Sequence, residues 1–290
     1  MAGEDIIFYG TAQGAVNALI ALGYSLVYGV GGILNLAHGA YYLIGAYTFY
    51  LTWLYLGAFP LLGFYLGMVL ALIAATTVGM LSYLLLIKPL KGHEISVLIG
   101  TFAIGFFCEQ LVIAISDPDT HSISTIWDQR VQFFGLQVQV HWIILIILSL
   151  VFVVLVTIFI KKSKLGKSIR AVSQDREAAM LMGINADRIL MYTVMISAFL
   201  AGTAAILYVP LDLVAPYKGW PILTNAIAVV ILGGMGSLPG SVIGAFILGY
   251  ARLLTDSFLD PVYSSLVPIV IIIIILVIRP RGLFGKKEIS

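Results

Sequence analysis

The sequence contains few charged residues and one cysteine. Of its 290 residues only 10% are charged and 61% are hydrophobic, with a mean hydropathy of +1.06. A soluble domain carries about 25% charged residues, so this composition excludes an ordinary soluble enzyme. It also excludes a disordered chain, which needs low hydrophobicity and high net charge. The formal net charge of +2 is too small to attract nucleic acid in bulk, and Cys108 alone forms no disulfide within the chain.

Three kinds of chemical motif are missing as well. Gly166-Lys167-Ser168 looks like the end of a phosphate-binding loop, but the glycine required five residues earlier is replaced by Lys161. The four histidines are scattered, and no cluster of histidine, cysteine and carboxylate has metal-ligand spacing. No Gly-x-Ser-x-Gly elbow occurs. The chain is therefore not expected to be an enzyme or to hold a cofactor or metal, and any use of ATP requires another subunit.

Long apolar runs dominate what is present. They cover residues 6–28, 33–56, 61–87, 95–116, 141–160, 189–210, 221–254 and 263–278. A membrane-spanning helix needs about 20 predominantly apolar residues, whereas barrel strands are shorter and alternate in polarity. We therefore expect an all-α polytopic membrane helix bundle with about eight transmembrane segments, forming a single domain over residues 1–290.

The basic residues indicate the orientation in the membrane. Thirteen of the 16 lie in three polar breaks, at 88–91, 161–188 and 279–287, whereas the break at 117–140 is mainly acidic. The positive-inside rule makes the first three breaks cytoplasmic and 117–140 external. Alternation of sides then requires 221–254 to begin and end outside, as two short helices or a re-entrant pair.

Glycine-rich stretches interrupt the helical pattern near residues 29–39 and 233–240. Broken backbone at membrane depth is tolerated only inside protein or beside a cavity, and matching breaks in two halves indicate a midplane site in transporters. The interrupted segment 221–254 is therefore the first candidate for a transport path. The alternative is a chance match, because small residues are common throughout this sequence.

Several polar or small residues in the apolar blocks are candidates for lining such a path: Asn17, Asn35, His38, Gly39, Glu109 and Asn225. Buried polar groups must be satisfied, so the alternative for the asparagines and His38 is hydrogen bonding between or within helices. Glu109 is isolated in its block, and an intramembrane charge is a functional hypothesis by default. Its alternative is to reach towards the outer surface or to pair there.

The polar break 161–188 contains a short amphipathic helix. Asp175 is a suitable N-cap and Gly183 a suitable stop. Ala178, Leu181 and Met182 share one face at helical spacing. Such a helix suits docking into a groove on a soluble partner, and the alternative is a solvated loop that only anchors the topology.

The pattern Glu177-Ala178-Ala179-x-x-x-Gly183 resembles the cytoplasmic EAA loop of bacterial ABC importer permeases. The stretches at 21–29, 34–39 and 233–240 and the C-terminal stretch 279–285 resemble the branched-chain amino-acid branch of that family. The resemblance covers nearly the whole chain. It implies that 161–188 is a cytoplasmic coupling loop whose contacts with the ATPase involve a set of residues in its helix: Asp175, Arg176, Glu177, Ala178, Ala179 and Gly183.

The resemblance further implies a permease subunit of the bacterial inner membrane, transporting branched-chain or related apolar amino acids. Its expected partners are a second homologous permease, two cytoplasmic ATP-binding subunits that hold ATP and magnesium, and a periplasmic substrate-binding protein. Two alternatives remain open from the sequence. One is an ABC permease for urea or short amides, and the other is a secondary transporter or channel that works alone.

Overall fold

The computed structural model describes residues 3–123, 125–133, 135–259 and 261–285, and in these it has twelve α-helices and one two-stranded sheet. The helices are α1 (Gly3–Gly31), α2 (His38–Tyr55), α3 (Pro60–Ser82), α4 (Glu94–Ser116), α5 (Val140–Lys162), α6 (Lys164–Gln174), α7 (Arg176–Leu181), α8 (Ala186–Tyr208), α9 (Gly219–Gly233), α10 (Leu238–Phe258), α11 (Pro261–Ser264) and α12 (Val267–Ile278). The strands β1 (Arg130–Phe133) and β2 (Leu136–Gln139) form an antiparallel hairpin.

Six of the described helices are long and apolar enough to cross a bilayer, namely α1, α3, α4, α5, α8 and α10. The segment Val262–Ile278, which includes α12, is apolar but shorter. The predicted all-α membrane bundle is therefore confirmed. The apolar block 221–254 divides into α9 and α10, and α9 has only 15 residues.

Helices α1 and α8 form the centre of the bundle, and both are mostly buried. They run antiparallel, because Gly31 of α1 adjoins Leu190 near the start of α8 and Gln13 donates a hydrogen bond to Tyr208 at its end. Glycines in α1 permit close approach: Gly23 lies against the Ser197 backbone of α8. Small residues at such contacts are the usual basis of helix packing in membranes.

The predicted cytoplasmic breaks meet at one end of the bundle. Lys91 forms an ion pair with Asp187, and the backbone N–H groups of Leu283 and Phe284 bind the carbonyls of Leu232 and Gly233. At the opposite end, His121 of the acidic break pairs through its backbone with Val214. Lys286 and Lys287, which contribute to the predicted basic C-terminus, lie outside the described residues.

The break near 29–39 leaves the chain non-helical from residue 32 to residue 37. Gly31 ends α1 and Gly32 has a φ of +63°, which an L side chain rarely adopts. Hydrogen bonds satisfy the exposed backbone, as the Leu36 N–H binds Thr101 Oγ1 at 3.1 Å and the Ala37 N–H binds Asn35 Oδ1 at 3.1 Å. The second part of the break, with Asn35 and Ala37, is thus buried in protein, as irregular backbone at membrane depth requires.

The break near 233–240 has a different position from the one that we expect from sequence. It is a turn through Gly234 (φ +99°) and Gly236 (φ +79°), and Ser237 caps the start of α10. Gly236 adjoins Gly29 at the end of α1, and Gly234 adjoins the C-terminal stretch. The turn therefore lies at the predicted cytoplasmic end of the bundle, and the prediction that its broken backbone marks a transport path at membrane depth is wrong. The two glycines reverse the chain between helices instead.

Candidate functional site

Helix α7 is a short, well-capped helix at the predicted cytoplasmic end. The Asp175 side chain accepts a hydrogen bond from the Ala178 N–H at 2.9 Å. At the other end Gly183 adopts a φ of +83°, and the Ile184 N–H binds the Ala179 carbonyl at 3.0 Å. The structure thus contains the cap and stop predicted from sequence, and they hold a helix too short to be stable alone.

The apolar face of α7 projects into solvent. Leu181 is 89% exposed and Met182 is 83% exposed, and Ala178 and Met180 are exposed as well. Ala179 is the buried member of the helix. An exposed apolar face on the part of a membrane protein that lies in water is typical of a protein interaction site. Glu177 is also exposed, so both acidic and apolar groups are accessible on this helix.

An ion-pair cluster fastens α7 to the membrane helices. Arg176 Nη2 lies 3.0 Å from Asp187 Oδ1, and Lys91 pairs with the same carboxylate. The Tyr83 hydroxyl, at the end of α3, donates to the Asp187 carbonyl at 2.7 Å. Asp187 is in the first turn of α8, so the cluster joins α7 to α8 and to the α3–α4 connection. Among the predicted coupling residues, Arg176 therefore makes contacts within this chain.

Replacing Asp187 with asparagine removes the charge that binds both Arg176 and Lys91. Because these side chains are roughly a third to two-fifths exposed, we expect unfolding stability to change by less than about 1 kcal/mol. If this cluster has the coupling role that the sequence predicts, uptake per ATP hydrolysed should fall about two- to thirtyfold, which corresponds to the coupling energies found for residues that modulate communication between sites. Uptake and ATP hydrolysis, measured together in proteoliposomes, test this expectation.

Asp212→Asn is the matched control, because it breaks the similarly exposed ion pair between Asp212 and Lys218 at the opposite end of the bundle. It should leave the ratio of uptake to hydrolysis unchanged. An equal loss in both variants would show that the Asp187 cluster has no particular role in coupling.

A second candidate region lies where the first turns of α2 and α9 cross. Gly39 and Gly219 are in backbone contact, and a Cβ built on Gly39 would overlap the Gly219 carbonyl. His38, next to Gly39, binds Ile20 in the interior of α1 and Ser197 at the midpoint of α8. The crossing therefore lies deep in the bundle, and α2 and α9 run from it towards opposite ends.

Glu109 of α4 faces this crossing. It is 6% exposed and lines a cavity of about 10 Å³ together with Gly39 and Gly219. Apolar side chains complete the lining, including Leu36, Leu43, Trp220 and Leu223. The cavity has room for at most one water molecule. Two of the predicted path residues, Gly39 and Glu109, are thus brought together by the fold.

Asn35 and His38 lie beside the crossing, but their side chains already form hydrogen bonds with other residues of this chain. Asn35 donates to the Tyr41 hydroxyl at 3.0 Å and accepts the Ala37 N–H. The His38 ring binds the Ile20 carbonyl and the Ser197 hydroxyl, both at 3.0 Å. These contacts correspond to the structural alternative, in which the polar groups hold broken backbone and join helices.

Asn17 and Asn225 are buried in α1 and α9, and neither lines the cavity. The Asn17 amide nitrogen has no hydrogen-bond partner among the described residues. Sequence reasoning missed Gly219 and Trp220, although a Gly-Trp-Pro sequence at the start of an apolar block is a recognisable helix start. It also missed the Lys91–Asp187 pair, for which the sequence carries no local signal.

Residues 6–276 match the family model described as "Branched-chain amino acid transport system / permease component". The chain is 28% identical to the high-affinity branched-chain amino acid transport system permease protein LivH of Escherichia coli (strain K12), over 98% of this chain and 96% of LivH. It is 30% identical to BraD of Pseudomonas aeruginosa, a permease protein described in the same words, over 97% and 95% of the two chains.

A more distant match is LivM of Escherichia coli (strain K12), another permease protein of this transport system, at 28% identity over 91% of this chain and 67% of LivM. Among solved structures, PsaBC from Streptococcus pneumoniae in complex with a Fab matches with a TM-score of 0.51 and 15% identity. That match covers 96% of this chain and 94% of the other, and at this identity it shows a shared fold.

Proposed function

The chain belongs to the permease-component family of branched-chain amino acid transport systems, and from this premise we propose that it is one of two permease subunits in an ABC importer of the bacterial inner membrane. Its substrates are branched-chain or related apolar amino acids, delivered by a periplasmic binding protein. ATP and magnesium are bound by two separate cytoplasmic subunits, because this sequence has no phosphate-binding loop. Similarity to both LivH and LivM supports a heteromeric pair of permeases.

The exposed apolar face of α7 is the observation that carries this proposal. Leu181 and Met182 provide a docking surface for the ATPase subunit. When the ATPase subunit moves α7, the Arg176–Asp187 ion pair transmits that movement to α8. Since α8 packs against α1, α2 and α3, movement of α7 reaches the centre of the bundle. Packed helices of this kind shift as units between discrete arrangements, which is how alternating access takes place.

Reconstitution of the whole transporter tests the proposal. The chain is co-expressed with candidate permease, ATPase and binding-protein subunits from the same organism, and the complex is placed in proteoliposomes with ATP inside. We expect uptake of radiolabelled leucine that needs both ATP and the binding protein. Uptake of urea or acetamide instead of leucine would show that the chain belongs to a transporter for urea or short amides. Ion-driven uptake by the purified chain alone would contradict the ABC assignment altogether.

A further inference from the structure

The Glu109 carboxylate has no partner among the residues that the structure describes. Among residues 3–123, 125–133, 135–259 and 261–285 it has no hydrogen bond or ion pair, although only 6% of the residue is exposed. It lies 15 residues from the start of α4, which is about 22 Å along the helix. Intramembrane carboxylates are costly unless a cation accompanies them. A positively charged group from elsewhere would therefore stabilise the ionised carboxylate.

The surroundings of Glu109 also offer positive potential to an anion. Both α2 and α9 begin at the crossing, and neither start has a side-chain cap. The first turn of a helix carries a partial positive charge from its aligned peptide dipoles. At the start of α2 the N–H groups of His38 and Ala40 bind the carbonyls of Asn35 and Ala37, so this charge acts as a local field and not through free donors. In transporters, the N-termini of short or broken helices near the midplane face anionic substrate groups.

The rest of the lining is apolar and suits an aliphatic chain. Leu36, Leu43, Trp220 and Leu223 surround the carboxylate and the glycine crossing. A group that satisfies all three features carries a cation, an anion and a branched alkyl chain within a few ångströms. A zwitterionic apolar α-amino acid has this combination, whereas urea and short amides have neither charge.

We propose that Glu109 binds the ammonium group of the amino acid in transit where the first turns of α2 and α9 meet. The substrate carboxylate faces the two helix N-termini, and its side chain contacts the leucines and Trp220. This assignment rests on the proposed transport function and adds the substrate contact to it. Glu109 thereby selects zwitterions over neutral molecules of similar size.

The cavity is too small for a substrate in this structure, since about 10 Å³ is far smaller than an amino acid. Passage of the substrate requires α2 and α9 to separate at the Gly39–Gly219 contact. The absence of side chains at that contact lets the two backbones meet when the path is shut. Glu109 is then out of reach of the substrate between transport events and becomes accessible to it when the two helices part.

The isosteric variant Glu109→Gln tests the assignment in the reconstituted complex with leucine-loaded binding protein. Loss of a charge-assisted contact should lower the leucine uptake rate about ten- to hundredfold. ATP hydrolysis, subunit assembly and thermal stability should stay unchanged. Glu109→Asp keeps the charge and should retain more uptake than Glu109→Gln. The exposed neighbour Gln110 provides the control, and Gln110→Ala should transport normally.

Each other outcome has a definite meaning. Normal leucine uptake by Glu109→Gln would overturn the assignment. Loss of subunit assembly or of thermal stability in that variant would also overturn it, because the carboxylate would then be paired with protein in the complex. Absence of leucine uptake by the unmodified complex would contradict the proposed function itself, and so is distinct from a failure at Glu109.

Discussion

Replacing Leu181 with aspartate is expected to detach the ATPase subunits from the membrane complex. Leu181 is 89% exposed on a helix that is capped at both ends, so the change costs little in this chain alone. A charge at the centre of an apolar contact should weaken subunit binding about thirtyfold or more, the effect of removing an interface hot spot. Co-purification of the ATPase and ATP-dependent uptake should both be lost.

Leu213→Asp serves as the matched control. Leu213 is another exposed leucine, at 51%, but it lies outside the helices, beside the strand-like contact between His121 and Val214 at the opposite end of the bundle. This variant should insert in the membrane and retain the ATPase. If the Leu181→Asp variant retains the ATPase and normal uptake, α7 is not part of the interface with the ATPase.

Replacing Gly39 with alanine should destabilise the bundle and block transport. The new Cβ would overlap the Gly219 carbonyl, which is backbone and cannot turn aside. Overpacking at such a contact costs about 1–3 kcal/mol. Forcing α2 and α9 apart should also disturb the closed arrangement around Glu109. Thermal unfolding of the detergent-solubilised complex measures the first effect, and leucine uptake measures the second.

Two other glycine substitutions give a graded comparison. A Cβ on Gly219 would lie 3.2 Å from the Gly39 carbonyl oxygen, which is tight, and a Cβ on Gly29 would lie 3.5 Å from Gly236 Cα, which is ordinary contact. We therefore expect Gly39→Ala to be more damaging than Gly219→Ala, with Gly29→Ala close to normal. Equal melting temperatures and uptake in all three variants would show that the crossing tolerates separation.

The sequence predicts those parts of the structure that depend on local chemistry. The apolar runs predict the helices, Asp175 and Gly183 predict both ends of α7, and the acidic and basic breaks predict which connections share an end of the bundle. Each of these depends on neighbouring residues or on the bilayer, and so needs no knowledge of tertiary contacts.

The sequence could not predict features that depend on distant pairs. The Gly39–Gly219 crossing and the Lys91–Asp187 ion pair join residues far apart in the chain. Glu109 is conspicuous in sequence as an isolated charge, but that no described residue pairs with it emerges only when every helix is in place. The glycines at 233–240 predict a break correctly, yet glycine alone does not distinguish a turn at the membrane surface from an opening within it.

The shortness of α2 and α9 affects how the protein is made. Neither is among the helices long and apolar enough to span a bilayer unaided, and the translocation machinery recognises segments by their hydrophobicity. We therefore expect both to enter the bilayer late during biosynthesis, drawn in by packing of α2 against α3 and α8 and of α9 against α1, α10 and α12. Nascent chains arrested before α8 should leave α2 accessible to water-soluble reagents.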